Sequence, residues 1–371
     1  MSRYRRIVLH AGLSKTGSTS IQRNCARHRQ WLADHGVDFP VISYRGDPFP
    51  NHGIPLVTAL TDKPQRYILG IRRRYGDDLA ALADSCRMQL TAALERPRGD
   101  VLLLSSELVE NFVARDMRAL REWLEPRARS LEVVAYFRSP QSGLESLLQE
   151  RLKAGALLEP EELVGRVRQK YENLHSVFGD VLVPLSYHES VMAPQGVVGS
   201  FLARLGLPGS EIRELQMERS NARMSMESFR LMRAINQRLP KNAQAEHGVA
   251  RAPRDLNALL AISGAPFQLT GFADSAVYRA CLEEAAWLEP RLGFVFPEAE
   301  ARSPAPQWQP PTLAALPGAL ERLPVPAFRR AAADFLREEA LALAQSRPDT
   351  ADELRRIAAA FGGDPFSPAA D

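Results

Sequence analysis

From residue 10 to residue 22 the sequence runs His-Ala-Gly-Leu-Ser-Lys-Thr-Gly-Ser-Thr-Ser-Ile-Gln. One cation, Lys15, stands among the hydroxyls of Thr16, Ser18, Thr19 and Ser20, with Gly12 and Gly17 free to turn the backbone sharply. If this segment leaves a strand and enters a helix, its backbone N–H groups, the positive end of the helix dipole and the ammonium converge on one point. That arrangement binds an anionic oxygen cluster such as a phosphate. A second candidate is Arg138, followed eight positions later by Ser146. A strand-end guanidinium can bind a phosphate through parallel hydrogen bonds. Glu107 in Ser105-Ser106-Glu107, His52 in Pro-Asn-His-Gly and Asp38 carry side chains of types that can accept a proton. Plainer accounts exist for each, since Ser106 and Glu107 also suit a helix start and His52 a solvated loop. His10 is read as structural.

Groups so distant in sequence meet only if a fold gathers them. Residues 7–10, 101–105 and 131–137 are short apolar runs of strand length, and 37–39 and 181–185 read as further strands, the last with Pro184 marking either its end or an edge strand. Helical spacing fills 17–33, 72–94, 116–124, 140–153 and 160–178 between them, and Gly36 ends the first of these. Strands apolar on both faces alternating with helices imply an α/β fold, a parallel sheet covered on both sides, with ligands at the carboxyl ends of its strands. Residues 44–64, rich in Pro, Gly and Asp, read as a long functional loop. From 196 onward the signals are helical, at 196–205, 225–239, 255–262 and 275–288. Residues 297–317 read as an extended Pro-rich linker, followed by helices at 328–345 and 349–361. The expected organisation is a main domain over 1–296, the linker 297–317 and a C-terminal helical extension over 318–371.

The nucleotide triphosphatase P-loop has the order G-x-x-x-x-G-K-[ST], with its lysine after the second glycine. Here Lys15 precedes Gly17, and Ser105-Ser106-Glu107 holds no partner aspartate. The order Lys-Thr-Gly-Ser-Thr-Ser after a strand instead resembles the 5'-phosphosulfate loop of sulfotransferases that use 3'-phosphoadenosine 5'-phosphosulfate (PAPS), especially bacterial and carbohydrate-type members. Arg138 and Ser146 match the spacing with which that family binds the donor's 3'-phosphate. The resemblance covers the first 150 residues and weakens toward 240, where Arg219 and Asn221 match a later segment near the nucleotide. It implies a P-loop-like three-layer fold and sulfuryl transfer from PAPS to a hydroxyl acceptor, carbohydrate by preference. Lys15 would stabilise the leaving phosphate, Glu107 or His52 would be the base, and no metal would be needed. A kinase of unusual motif order and a noncatalytic PAPS- or anion-binding module in polysaccharide assembly are the rival readings.

Composition limits the partners. The 47 basic and 44 acidic residues leave a net charge of +3, without the general field of a nonspecific nucleic-acid binder. Cys25, Cys86 and Cys281 lie far apart and form no C-x-x-C pair, so a zinc site or disulfide framework is not expected. The apolar run at 7–9, after Arg3, Arg5 and Arg6, is too short for a signal-peptide core, and no stretch approaches the ~18 apolar residues of a membrane span. A cytoplasmic protein is expected.

Overall fold

The computed structural model describes residues 4–68, 70–157, 159–218, 224–240, 255–269, 275–297 and 308–362. Its strands are β1 (Tyr4–Ala11), β2 (Val37–Asp38), β3 (Ser43–Tyr44), β4 (Asp47–Pro48), β5 (Val101–Ser106), β6 (Ala128–Phe137) and β7 (Leu182–Ser186). Five of them make a wholly parallel sheet in the order β2-β5-β1-β6-β7, while β3 and β4 form a small antiparallel hairpin. Pro184 lies in the edge strand β7, where a missing N–H leaves no gap in an inner ladder.

Side chains alternate across this sheet. Ile7, Leu9, Leu102, Leu104, Val133 and Phe137 join one apolar core, whereas Val8, Val101, Leu103, Val134 and Tyr136 join another on the opposite face. Both faces are therefore dry, as a parallel sheet needs, and helices cover each. This is the three-layer α/β fold expected from the apolar runs.

The helices up to residue 214 are α1 (Ser18–Arg27), α2 (Arg29–Asp34), α3 (Gly53–Leu60), α4 (Ile71–Tyr75), α5 (Leu79–Glu95), α6 (Ala114–Leu124), α7 (Pro140–Lys153), α8 (Arg166–Phe178), α9 (Tyr187–Met192), α10 (Gly196–Arg204) and α11 (Gly209–Glu214). Several expected helices are divided. Residues 17–33 bend at His28, whose Nε2 meets the Gln216 carbonyl at 3.1 Å. The helix expected over 72–94 breaks at Gly76, with φ 51°, and that over 160–178 at Gly165, with φ 83°. The expected loop 44–64 carries the hairpin turn and α3. Pro55 lies in the first turn of α3, where its missing N–H removes no helical bond.

By backbone proximity the chain divides into two units: residues 1–143, 165–220 and 282–297, which hold the sheet, and residues 144–164, 221–281 and 298–371. The second unit is helical around a core of Leu148, Phe229, Phe267, Trp308 and Leu336, with α12 (Met226–Arg238) capped by the Ser225 hydroxyl, which accepts the Ser228 N–H at 3.1 Å. The expected extended linker is helical from Pro310, because Pro310 and Pro311 occupy the first turn of the helix Pro310–Glu321, where proline is tolerated. Residues 298–307 lie outside the described ones. Helices Pro326–Leu343 and Pro348–Gly362 follow. Among the described residues no helix is long and apolar enough to cross a membrane.

Candidate active site

Parallel pairing puts the carboxyl ends of β5, β1 and β6 side by side, with His10 opposite Ser105 on one flank and Val134 on the other. The candidate residues Glu107, Lys15 and Arg138 leave these three adjacent strands. The Gly12 N–H donates to the Ser106 carbonyl at 3.0 Å, carrying the β1–β5 ladder one residue into the loop. A Cβ at Gly12 would lie 2.3 Å from Ser18 Oγ, so glycine is the residue this closeness permits.

The loop is held by its own hydroxyls. Thr16 Oγ1 donates to the Leu13 carbonyl at 2.7 Å, and the Ser18 hydroxyl reaches the same oxygen at 3.4 Å; both residues are buried. These two, expected to face an anion, instead fix the turn, leaving Thr19 exposed and Ser20 half-buried. Lys15 and Gly17 have φ of 67° and 81°. For a non-glycine residue this left-handed conformation costs roughly 1–2 kcal/mol. Gly17 precedes α1, whose first intrahelical bond runs from the Ile21 N–H to the Gly17 carbonyl at 3.0 Å. The amides of Ser18 and Thr19 thus have no acceptor within the helix, and with Lys15 they could serve as donors to an anion.

A chain of largely buried polar side chains starts from β1 and β5. His10 Nδ1 lies 2.8 Å from Ser105 Oγ, Gln22 Nε2 donates to the same Oγ at 3.1 Å, and Asn51 Nδ2 donates to Gln22 Oε1 at 3.1 Å. Burial alone lowers the His10 pKa to about 3, so the ring is neutral.

Glu107 is half-buried and accepts a hydrogen bond from the Thr19 hydroxyl at 3.2 Å. Burial raises its pKa; the Thr19 bond opposes this, the Glu110 charge adds to it and Lys15 opposes it. Its carboxylate is thus a better proton acceptor than an exposed glutamate, and it lies on the loop. His52 is different. It is 2% exposed, its Nδ1 accepts the Ser105 N–H at 3.0 Å, and its Nε2 must donate to the Pro40 carbonyl at 2.9 Å. Both ring nitrogens are committed to backbone, and burial lowers the pKa to about 4. No lone pair of the ring remains for an acceptor proton. Asp38 pairs with Leu102, near the amino end of the sheet, and accepts the Tyr4 hydroxyl at 2.8 Å, away from the loop.

Arg138 follows β6. Its Nη1 donates to the Lys15 carbonyl at 3.0 Å, its Nε to Ser142 Oγ at 2.6 Å, and its guanidinium carbon lies 5.2 Å from the centre of the Tyr187 ring. Ser139 accepts the Ser142 N–H at 3.2 Å, so Ser-Pro opens α7. Ser146 is half-buried further along α7, beyond the point where this helix passes into the second unit. Arg219 and Asn221 lie outside the described residues.

Sequence reasoning missed Ser14, Glu110 and Lys170. The Ser14 N–H donates to Glu110 Oε2 at 2.8 Å, its hydroxyl donates to Glu110 Oε1, and the Lys170 ammonium lies 2.8 Å from Glu110 Oε2. Glu110 stands three residues beyond Glu107 in the same turn, a spacing that offered a clue. Lys170, on α8, offered none. That helix is fixed in turn by Glu284, which accepts the Arg168 N–H at 2.7 Å and the Gly165 N–H at 3.2 Å.

No family model matches this sequence, and no curated protein matches it. Among solved structures the chain is similar to a crystal structure of the sulfotransferase from Alicyclobacillus acidocaldarius, at a TM-score of 0.39 and 14% identity, over 79% of this chain and 97% of that one.

Proposed function

We propose that this chain is a sulfotransferase that moves the sulfuryl group of PAPS to a hydroxyl acceptor, with a carbohydrate or glycoconjugate as the acceptor class. The observation that carries the reading is the hydrogen bond from Arg138 to the Lys15 carbonyl, because it sets a strand-end guanidinium against an anion-binding loop. A donor with phosphate at both ends of one nucleoside asks for two such cationic points. The amides of Ser18 and Thr19, with Lys15 and the turn at Thr16 and Gly17, would hold the 5' end, and Arg138 the 3'-phosphate. Ser20 and Ser146 join the site on their place in the sequence alone. When bound, PAPS supplies an activated sulfuryl group and a phosphate leaving group.

The remaining chemistry belongs to the chain. Lys15 offsets negative charge growing on the departing phosphate oxygen, a role that alignment and electrostatics make effective without covalent participation. Glu107 takes the acceptor's proton; His52, with both nitrogens bonded to backbone, holds the strand end instead.

The test is thermal stabilisation by the desulfated product, 3'-phosphoadenosine 5'-phosphate (PAP). At 100 times its dissociation constant a ligand adds roughly 2.7 kcal/mol. PAP is expected to raise the melting temperature well above the effect of ATP, which lacks the 3'-phosphate, and Arg138→Ala is expected to erase the difference. Equal stabilisation of the wild type by ATP and PAP would overturn the donor assignment. Binding of PAP with no transfer from labelled PAPS to any fraction of cell extract would favour a binding module over an enzyme.

A further inference from the structure

Glu110 is only 5% exposed, and both of its oxygens are turned to Ser14, one to the N–H at 2.8 Å and the other to the hydroxyl. The Lys170 ammonium closes the cluster, 2.8 Å from Glu110 Oε2 and 3.1 Å from Ser14 Oγ. Loop, turn and α8 therefore meet on the residue immediately before Lys15. On the other side the Lys15 carbonyl accepts from Arg138 at 3.0 Å. Between these two anchors Lys15 keeps φ at 67°, a conformation that a residue with a side chain holds only when its surroundings over-determine it. Charge points the same way. A buried carboxylate beside an anion-binding loop repels the ligand, and the adjacent ammonium cancels that field while leaving both acceptor oxygens on Ser14.

We infer that Glu110 and Lys170 are a positioning pair for Lys15, holding Ser14 so that the loop presents the lysine in its left-handed turn. The consequence for turnover rests on the sulfotransferase reading; the effect on the loop does not.

Amide hydrogen exchange on the ligand-free full chain decides the local claim. The Ser14 amide is expected to exchange roughly tenfold faster in Glu110→Ala than in the wild type, with a smaller rise in Lys170→Met. Unchanged exchange in both variants overturns the inference whatever the chain's activity. Transfer from labelled PAPS then tests the consequence. Glu110→Ala is expected to lower kcat more than it raises the KM for PAPS, and Glu110→Ala with Lys15→Ala is expected to be no slower than Lys15→Ala alone, because one residue acts through the other. Losses that multiply in the double variant overturn it. Glu110→Gln keeps an acceptor oxygen for Ser14 and should recover part of kcat, which keeps the comparison open if the alanine variant fails to fold. If the wild type neither binds PAP nor transfers sulfuryl, the donor reading fails and hydrogen exchange alone decides the pair.

Discussion

Glu107 and His52 could each have been a proton acceptor on sequence grounds, and what separates them is the occupancy of their lone pairs. Both His52 nitrogens face backbone groups, whereas Glu107 meets the Thr19 hydroxyl with one oxygen. If Glu107 is the base, Glu107→Gln, which keeps an oxygen for Thr19, is expected to lower turnover by about 10² to 10⁴-fold while PAP still binds. The pH dependence follows from its environment. Burial and the Glu110 charge raise its pKa above the usual 4.5, against the opposing pull of Thr19 and Lys15. The base works deprotonated, so kcat/KM should fall on acidification with a midpoint above 4.5, and that limb should vanish in Glu107→Gln. A rate–pH profile of the two proteins checks this; an unchanged acidic limb in the variant would assign it to another group.

At the scale of elements, the loop depends on how closely α1 and α10 approach. A Cβ at Gly17 would lie 2.8 Å from Val197 Cγ1, and its φ is 81°. Gly17→Ala therefore combines left-handed strain of roughly 1–2 kcal/mol with overpacking of about 1–3 kcal/mol. Gly46 is the control, because its φ is 88° but nothing lies within 4 Å of an added Cβ. Gly46→Ala should cost only the strain. Denaturant midpoints of the two variants should differ accordingly, and equal shifts would mean that Val197 yields without cost. Strands β1, β5 and β6 were legible because each is apolar on both faces, a pattern that survives any surroundings. Helix α3 was not. Its sequence, Gly-Ile-Pro-Leu-Val-Thr-Ala-Leu, is apolar nearly all round, so no helical period shows, and Pro55 reads as a breaker unless the helix start is known. The pairing of Ser14 with Lys170 was illegible for another reason, since it joins residues 156 positions apart.

For the whole molecule, two buried neutral histidines set a sensitivity to acid. The ordinary pKa of 6.5 falls to about 3 at His10 and about 4 at His52. Below pH 6.5 the unfolded chain binds protons that the native one refuses, so stability declines as pH falls. Each histidine contributes about 1.4 kcal/mol per pH unit until its folded pKa is reached. The half-buried carboxyl of Glu107, with a raised pKa, works in the opposite sense, so the histidine share is best read by difference. Urea midpoints between pH 7.5 and 5 should fall, and His52→Asn should flatten that slope; parallel slopes would contradict the burial of His52. The same sheet edge carries another consequence, through the bond between Arg138 and the Lys15 carbonyl. If the loop and the guanidinium each hold an anion, as proposed, they obey thermodynamic reciprocity, so whatever occupancy at the guanidinium does to affinity at the loop, occupancy at the loop does in equal measure to the guanidinium. On the proposed reading, a nucleotide that loses its sulfuryl group but keeps both phosphates keeps that coupling as well.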